Sequence, residues 1–180
     1  RNKPLAPFTT YKIGGLSDFF VEVHTIDTLL HALVEASRNK IPFFLLGCGA
    51  NILVTDKGFR GLVIRNLADK ISFPADEVVA AESGATVANL LEQCRDRGLS
   101  GFEHFAGIPS TVGGAMWQNL HFLSPDRQRM VFVEEIVHSG RIFTEEGHLC
   151  NVGVDYFQFG YDRSILQKRK DIVLDVTFQL

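Results

Sequence analysis

Three short stretches of this chain gather residue types that can do chemistry. The first is Gly47-Cys48-Gly49-Ala50-Asn51-Ile52-Leu53, directly after the apolar run Phe43-Phe44-Leu45-Leu46. Glycine at a strand end lets the backbone turn sharply and lets a ligand come close. Successive free amides in such a turn form a concave nest for phosphate oxygens. Asn51 tolerates left-handed backbone and can tie the loop to itself. No Gly-Lys-Ser/Thr follows, so this is not a Walker loop, and the G-x-G-x-x-G dinucleotide fingerprint is not completed. Taken alone, such a turn serves as a structural hairpin as often as it cradles phosphate.

The second stretch is Ala106-Gly107-Ile108-Pro109-Ser110-Thr111-Val112-Gly113-Gly114-Ala115. Pro109 or Ser110 can open a short helix, with Ser or Thr as its cap. A helix start offers amide donors and a positive dipole end to an anion. Gly113-Gly114 would let a bulky cofactor lie flat on the backbone, and tight helix packing is the equal alternative. Two phosphate-friendly loops suggest a pyrophosphate cofactor with two subsites. The third stretch, Phe159-Gly160-Tyr161-Asp162-Arg163-Ser164, packs a phenol, a carboxylate, a guanidinium and a hydroxyl together. Arg163 could neutralise an anionic substrate, and Tyr161 and Ser164 could move protons. From spacing alone, a polar turn with a local ion pair is the stronger reading. The six His show no metal-ligand spacing with each other or with Cys, so no metal is expected. No Ser sits in a nucleophile elbow, and no Cys pairs with an obvious His.

These stretches need elements to hold them. Residues 18–23 read as a strand. Thr25 can cap a helix whose face carries Ile26, Leu29, Leu30, Leu33 and Val34, ended by Asn39-Lys40 and Pro42. Residues 43–46 and 61–65 read as further strands. Strand, helix and strand in that order imply parallel pairing with a right-handed crossover. The pattern loosens over 68–74, where a boundary is expected. Residues 78–81 read as a strand and 86–97 as a helix, with Val87, Leu90, Leu91 and Cys94 inward and Gly98 just past its end. Strands are expected at 130–138, 141–144 and 172–180, and loop at the start of 120–139. The second half is strand-rich, and the whole reads as α+β.

With 180 residues, 46% hydrophobic and 22% charged, the chain is ordinary globular material. A chain this long buries roughly 70% of its unfolded surface, so it needs no staples. A net charge of −3 and a pI near 6.1 give no footprint for nucleic acid. Its longest apolar runs are too short to span a bilayer. Three distant cysteines, Cys48, Cys94 and Cys150, suit a reducing compartment, and no secretory signal is visible although the chain starts at Arg1.

The order of motifs resembles the UDP-N-acetylenolpyruvoylglucosamine reductase family (UDP-N-acetylmuramate dehydrogenases), flavoproteins of peptidoglycan precursor synthesis. Thr9-Thr10-Tyr11-Lys12-Ile13-Gly14-Gly15 resembles the family's N-terminal motif, and residues 46–53 its flavin pyrophosphate loop. Gly98-Leu99-Ser100-Gly101-Phe102-Glu103 with residues 106–115 resembles its most recognisable stretch, and Gln118-Asn119 follows as in the family. Residues 159–164 and 171–180 resemble the end of its second domain. The likeness covers essentially the whole chain.

The resemblance implies a two-subdomain FAD-binding fold of the vanillyl-alcohol oxidase (PCMH) type. A small βαβ subdomain would span 1–67 and a mainly antiparallel α+β subdomain 68–180. FAD would be held by Gly47, Cys48, Gly49, Ala50, Asn51, Ile52 and Leu53, and by Gly107, Ser110, Thr111, Gly113 and Gly114. NADPH would be the hydride donor and a sugar nucleotide the substrate, its enolpyruvyl ether reduced to the muramate, in the cytoplasm. Tyr161, Gln118 and Asn119 would contact that substrate, and Arg163 would be catalytic. The family's third domain, with the proton-donating Ser and a late Glu, is expected beyond Leu180, so this segment alone is expected to reduce the substrate poorly. A further domain or a partner would cover the flavin. Two departures stand out. Asp162 occupies the family's Arg position, with Arg163 one place later, and Leu120-His121-Phe122-Leu123 replaces a Gly-Ala-Tyr-Gly stretch. The alternatives are a shortened flavin-binding module without reductase activity and a scaffold that has lost the flavin.

Overall fold

Helix α1, Ile26–Arg38, starts from a reciprocal cap: the Thr25 hydroxyl accepts from the Thr28 amide, and the Thr28 hydroxyl accepts from the Thr25 amide. This satisfies donors that a first helical turn otherwise leaves open. At the other end the Asn39 side chain donates to the Glu35 carbonyl at 2.8 Å. Lys40 then turns the chain through a left-handed conformation at φ 53°, and Pro42 prevents the helix from resuming. Ile26, Leu29, Leu33 and Ala36 form the buried face, while Leu30 and Val34 lie half-buried at its margin.

The computed structural model describes residues 1–124 and 126–180. They fold as two units, Arg1–Ala68 and Asp69–Leu180. In the first, β1 (Lys3–Pro4), β2 (Leu16–Val23), β3 (Phe43–Leu46) and β4 (Phe59–Asn66) form one sheet in the order β1-β2-β4-β3. β4 runs parallel between β2 and β3, so the strands on either side of α1 are separated by a third. Val63 and Ile64 are adjacent and so point to opposite faces, yet they are only 1% and 0% exposed. Both faces of the sheet are therefore covered, as parallel pairing requires. α1 packs on β2 and β4, and Leu5, Leu46 and Val63 cluster with Phe8, Phe20, Ile52, Val54 and Phe59.

In the second unit, β5 (Ile71–Ala75), β6 (Val78–Glu82), β9 (Val137–Phe143), β10 (Leu149–Gly153) and β11 (Ile172–Gln179) form an antiparallel sheet in the order β10-β9-β11-β6-β5. β7 (His121–Leu123) and β8 (Met130–Phe132) make a separate pair. Helices α2 (Val87–Arg95) and α3 (Val112–Gln118) start at caps Thr86 and Thr111. Two strand expectations need correction. Residues 130–138 are not one strand, because a 3₁₀ turn at Val133–Glu135 interrupts them, with Glu135 accepting from the Phe132 amide. β9 instead runs unbroken through Gly140, whose missing Cβ leaves room for the Phe157 ring: its Cζ lies 3.0 Å from that position. Within 68–74, where the pattern loosens, β5 sits at a sheet edge that tolerates Pro74 and a register shift. Among the described residues no helix is long and apolar enough to cross a membrane.

Four of the chain's 15 Phe lie in the core. Phe102, Phe105, Phe157 and Phe178 are each at most 2% exposed, and Phe102 meets Phe178 edge-on at 5.0 Å. Such a pair adds about 0.5–1.5 kcal/mol beyond area burial.

One buried carboxylate anchors the return into β11. Asp171 accepts the Tyr156 hydroxyl at 2.5 Å, the Glu145 amide at 2.9 Å and Arg169 Nε at 2.8 Å. Burial, and then the bond to Asp171, pushes the Tyr156 phenol from 10.0 up to about 12. The folded state thus favours the neutral phenol. Its contribution to stability is whole below pH 10.0 and is lost as pH rises towards about 12. The urea midpoint is expected to fall across that window and to fall less steeply in Tyr156→Phe. Asp171→Ala should cost about 1–3 kcal/mol at neutral pH, because it strands buried donors. A pH profile unchanged by Tyr156→Phe would remove the phenol from this account.

Candidate functional site

Residues 47–55 leave β3 without regular structure. Gly49 adopts φ +66°, and the Phe8 carbonyl oxygen lies 2.0 Å from where its Cβ would stand. The Thr10 amide donates to the Gly49 carbonyl at 3.0 Å. Glycine is demanded here by the close approach of the N-terminal segment, whereas the sequence suggested the close approach of a ligand. Away from that contact, among the described residues no backbone carbonyl accepts from the amides of Cys48, Gly49 or Ala50. Consecutive free amides around a left-handed residue are the geometry of an anion nest, so this loop fits a pyrophosphate. Ala50 and Ile52 are half-buried, while Asn51 and Leu53 are exposed. Surrounding protein pushes the Cys48 thiol above its ordinary range and Arg65 opposes it, so little thiolate is present for nucleophilic chemistry. Within the same unit an open groove of about 420 Å³ is walled by Leu5, Phe44, Leu46, Ile52, Leu53 and Phe59. Apolar walls of this kind accept a flat ring.

The second motif behaves differently. At the start of α3 the Val112 amide donates to the Ala85 carbonyl and the Gly113 amide to the Ser83 carbonyl, both at 2.8 Å. The Gly114 amide donates to Thr111 Oγ1 at 3.2 Å. The free donors expected of this helix start are therefore already engaged. A Cβ on Gly113 would stand 3.1 Å from the Ser83 carbonyl oxygen, so close packing accounts for this glycine. Gly107, Pro109 and Gly114 are exposed and Ser110 is half-buried, which leaves a surface rather than an amide nest.

The third stretch is a tight turn. Gly160 and Arg163 exchange backbone hydrogen bonds of 3.0 and 3.2 Å, and Asp162 takes a left-handed φ of 51°. Tyr161 stands out at 68% exposure, and Arg163 is exposed with its guanidinium folded over Gly160. No Asp162–Arg163 ion pair exists among the described residues. Ser164 is only 1% exposed and its hydroxyl donates to the Trp117 carbonyl at 2.6 Å, which takes it out of proton transfer. Gln118 is half-buried. Asn119 is another correction: at 0% exposure it is inaccessible to substrate, and its side-chain amide is bonded at both ends within the unit. His121 was noted only as part of the stretch that replaces Gly-Ala-Tyr-Gly and was given no role, yet its ring lies 4.5 Å from that of Tyr161 and 5.0 Å from that of Phe132.

Comparison with known proteins bears on these sites. The family described as FAD binding domain matches residues 17–153. The UDP-N-acetylenolpyruvoylglucosamine reductase of Clostridium botulinum is 31% identical over 99% of this chain and 56% of its own length. That of Alkaliphilus oremlandii is 33% identical over 99% of this chain and 57% of its own length. The chain thus spans about half the length of the curated relatives it matches. The crystal structure of the UDP-N-acetylenolpyruvylglucosamine reductase from Thermus caldophilus superposes with a TM-score of 0.80 at 26% identity, over 98% of this chain and 60% of that one. An alkyldihydroxyacetonephosphate synthase shares the fold, with a TM-score of 0.64 at 17% identity over 94% of this chain and 33% of its own. The architecture is the expected α+β FAD-binding fold.

Gly49 and Gly107 both sit at positive φ, but nothing lies within 4 Å of a Cβ on Gly107. Gly107→Ala should cost only the left-handed strain, about 1–2 kcal/mol. Gly49→Ala should cost clearly more, since the Phe8 carbonyl must also move. Urea unfolding of the two variants measures the difference, and equal costs would remove the Phe8 contact as a constraint.

Proposed function

Because the chain belongs to the FAD binding domain family, we propose that it holds FAD and forms the flavin-binding part of a reductase acting on an enolpyruvyl sugar nucleotide. The observation that carries this is the likeness, along essentially the whole chain, to enzymes named for that reaction. The amides of Cys48, Gly49 and Ala50 would hold the pyrophosphate, with Gly47 and Asn51 shaping the loop and Ile52 and Leu53 lining its apolar side. Gly107, Ser110, Gly113 and Gly114 would give a smooth surface for the cofactor to lie against, while Thr111, named with them from the sequence, is buried and caps the helix beneath it. When bound, the flavin ring supplies two-electron hydride acceptance and donation. NADPH is the proposed donor, and the work is the reduction of a UDP-sugar enolpyruvate for peptidoglycan synthesis in the cytoplasm.

Arg163 and Tyr161 are the groups this chain offers to the substrate. The guanidinium would neutralise an anionic group, and the exposed phenol would orient it. The engaged Ser164 hydroxyl favours a second reading, a flavin-binding module without reductase activity of its own, because it leaves the turn without a free hydroxyl acid except Tyr161.

The chain is expected to bind FAD and to bind FMN far more weakly, because FMN lacks the second phosphate and the adenylate that FAD would add to its hold on the protein. Gel filtration followed by absorbance of the retained flavin measures this, and Gly49→Val should elute without flavin. Equal retention of FMN would contradict the pyrophosphate assignment. Anaerobic NADPH should bleach the bound flavin, and a flavin that NADPH leaves oxidised would favour the module reading.

A further inference from the structure

The turn that presents Tyr161 and Arg163 is held by one buried side chain. Asn119 ends α3 in a left-handed conformation, φ 54° and ψ 67°, with its amide donating to the Ala115 carbonyl. Its Nδ2 donates to the Gly160 carbonyl at 3.1 Å, the first residue of the turn. Its Oδ1 accepts from the Glu134 amide at 3.3 Å. Its carbonyl pairs with His121 Nδ1 at 2.9 Å. A carbonyl can only accept, so Nδ1 carries the proton and the lone pair of the neutral ring sits on Nε2. That ring lies 4.5 Å from Tyr161, so the backbone of Asn119 sets the imidazole against which the phenol packs.

The residue type suits the task. Asparagine tolerates left-handed backbone and carries a donor and an acceptor on one short side chain. Aspartate has the same shape and would still accept from Glu134, but it would turn an acceptor towards the Gly160 carbonyl. We propose that Asn119 is a positioning residue: through the Gly160 carbonyl and through His121 it fixes where Tyr161 and Arg163 meet the ligand. This rests on the reading of that turn as the substrate end of the site.

The test uses the FAD-loaded chain, with UDP-N-acetylglucosamine as probe and Trp117 emission as reporter. Trp117 is the chain's single Trp, it is 50% exposed, and its carbonyl accepts from Ser164 beside the turn. In Asn119→Asp the NMR contact between the His121 and Tyr161 rings should vanish while the methyl spectrum stays native. Probe affinity should fall about tenfold, the scale of one hydrogen bond lost at a buried group. Asn119→Gly, which keeps the left-handed turn without a side chain, should show the same two losses and serves if the Asp variant does not fold. Native ring contact in either folded variant, or lost contact with unchanged affinity, overturns the proposal. Arg163→Ala separates the underlying reading: undiminished affinity there would sink the ligand role of the turn, whatever the Asn119 variants do.

Discussion

In the first unit the backbone crosses itself so closely that side chains are excluded at the crossings. The Phe8 carbonyl oxygen lies 2.0 Å from a Cβ position on Gly49, and the Leu16 carbonyl oxygen 1.9 Å from one on Gly58. These two contacts tie the N-terminal segment and β2 to both ends of the connection between β3 and β4. The rest of the unit follows from them. Leu5 and Phe8 are carried onto the sheet beside Leu46 and Val63, and residues 52–54 become a wall of the groove. The Cβ side of Gly49 is thereby closed by Phe8 and Thr9.

The two glycine-bearing motifs look alike in sequence and use their glycines differently. Buried amides must be bonded, and those at the start of α3 are bonded to the Ala85 and Ser83 carbonyls, so this segment is a packing joint with an exposed rim. The amides of residues 48–50 find no backbone carbonyl among the described residues, and Cys48 among them is exposed, so this loop is not closed by packing in the same way. Spacing could not separate the two cases, because the partners that engage α3 come from residues 83 and 85, beyond the motif itself.

What was legible in the sequence was local. The Thr25 cap, the apolar stripe of α1 and the left-handed Gly98 at the end of α2 depend on neighbours within a turn or two. β11 was legible because Ile172, Val173, Leu174, Val176 and Phe178 are apolar within eight residues, as suits a strand paired on both sides. Non-local causes were not legible. Gly140 reads as a break but continues β9, because the ring that needs its vacancy belongs to Phe157. Residues 130–138 read as one strand because nothing in their pattern shows Glu135 reaching back to the Phe132 amide. The resemblance implies a substrate contact for Asn119, and only the fold reveals that both ends of its amide are engaged within the unit.

The turn at 160–163 and the end of α3 satisfy each other. A helix leaves its last carbonyls without intrahelical partners. Here the Ala115 carbonyl accepts from the Asn119 and Leu120 amides, while the Trp117 carbonyl accepts from the Ser164 hydroxyl and from Gln167 Nε2. Gln167 also donates to the Asp162 carbonyl at 2.8 Å, and Asn119 holds Gly160, so the turn is gripped at its first residue, at its left-handed residue and just past its last. Each of these bonds closes a helix end or a strained turn that would otherwise expose backbone. The cost is that Ser164 and Asn119 are fixed in place and removed from chemistry. The same bonds leave Tyr161, Asp162 and Arg163 as exposed side chains on a turn whose backbone is held from three sides, the kind of rigid base that a precise site requires.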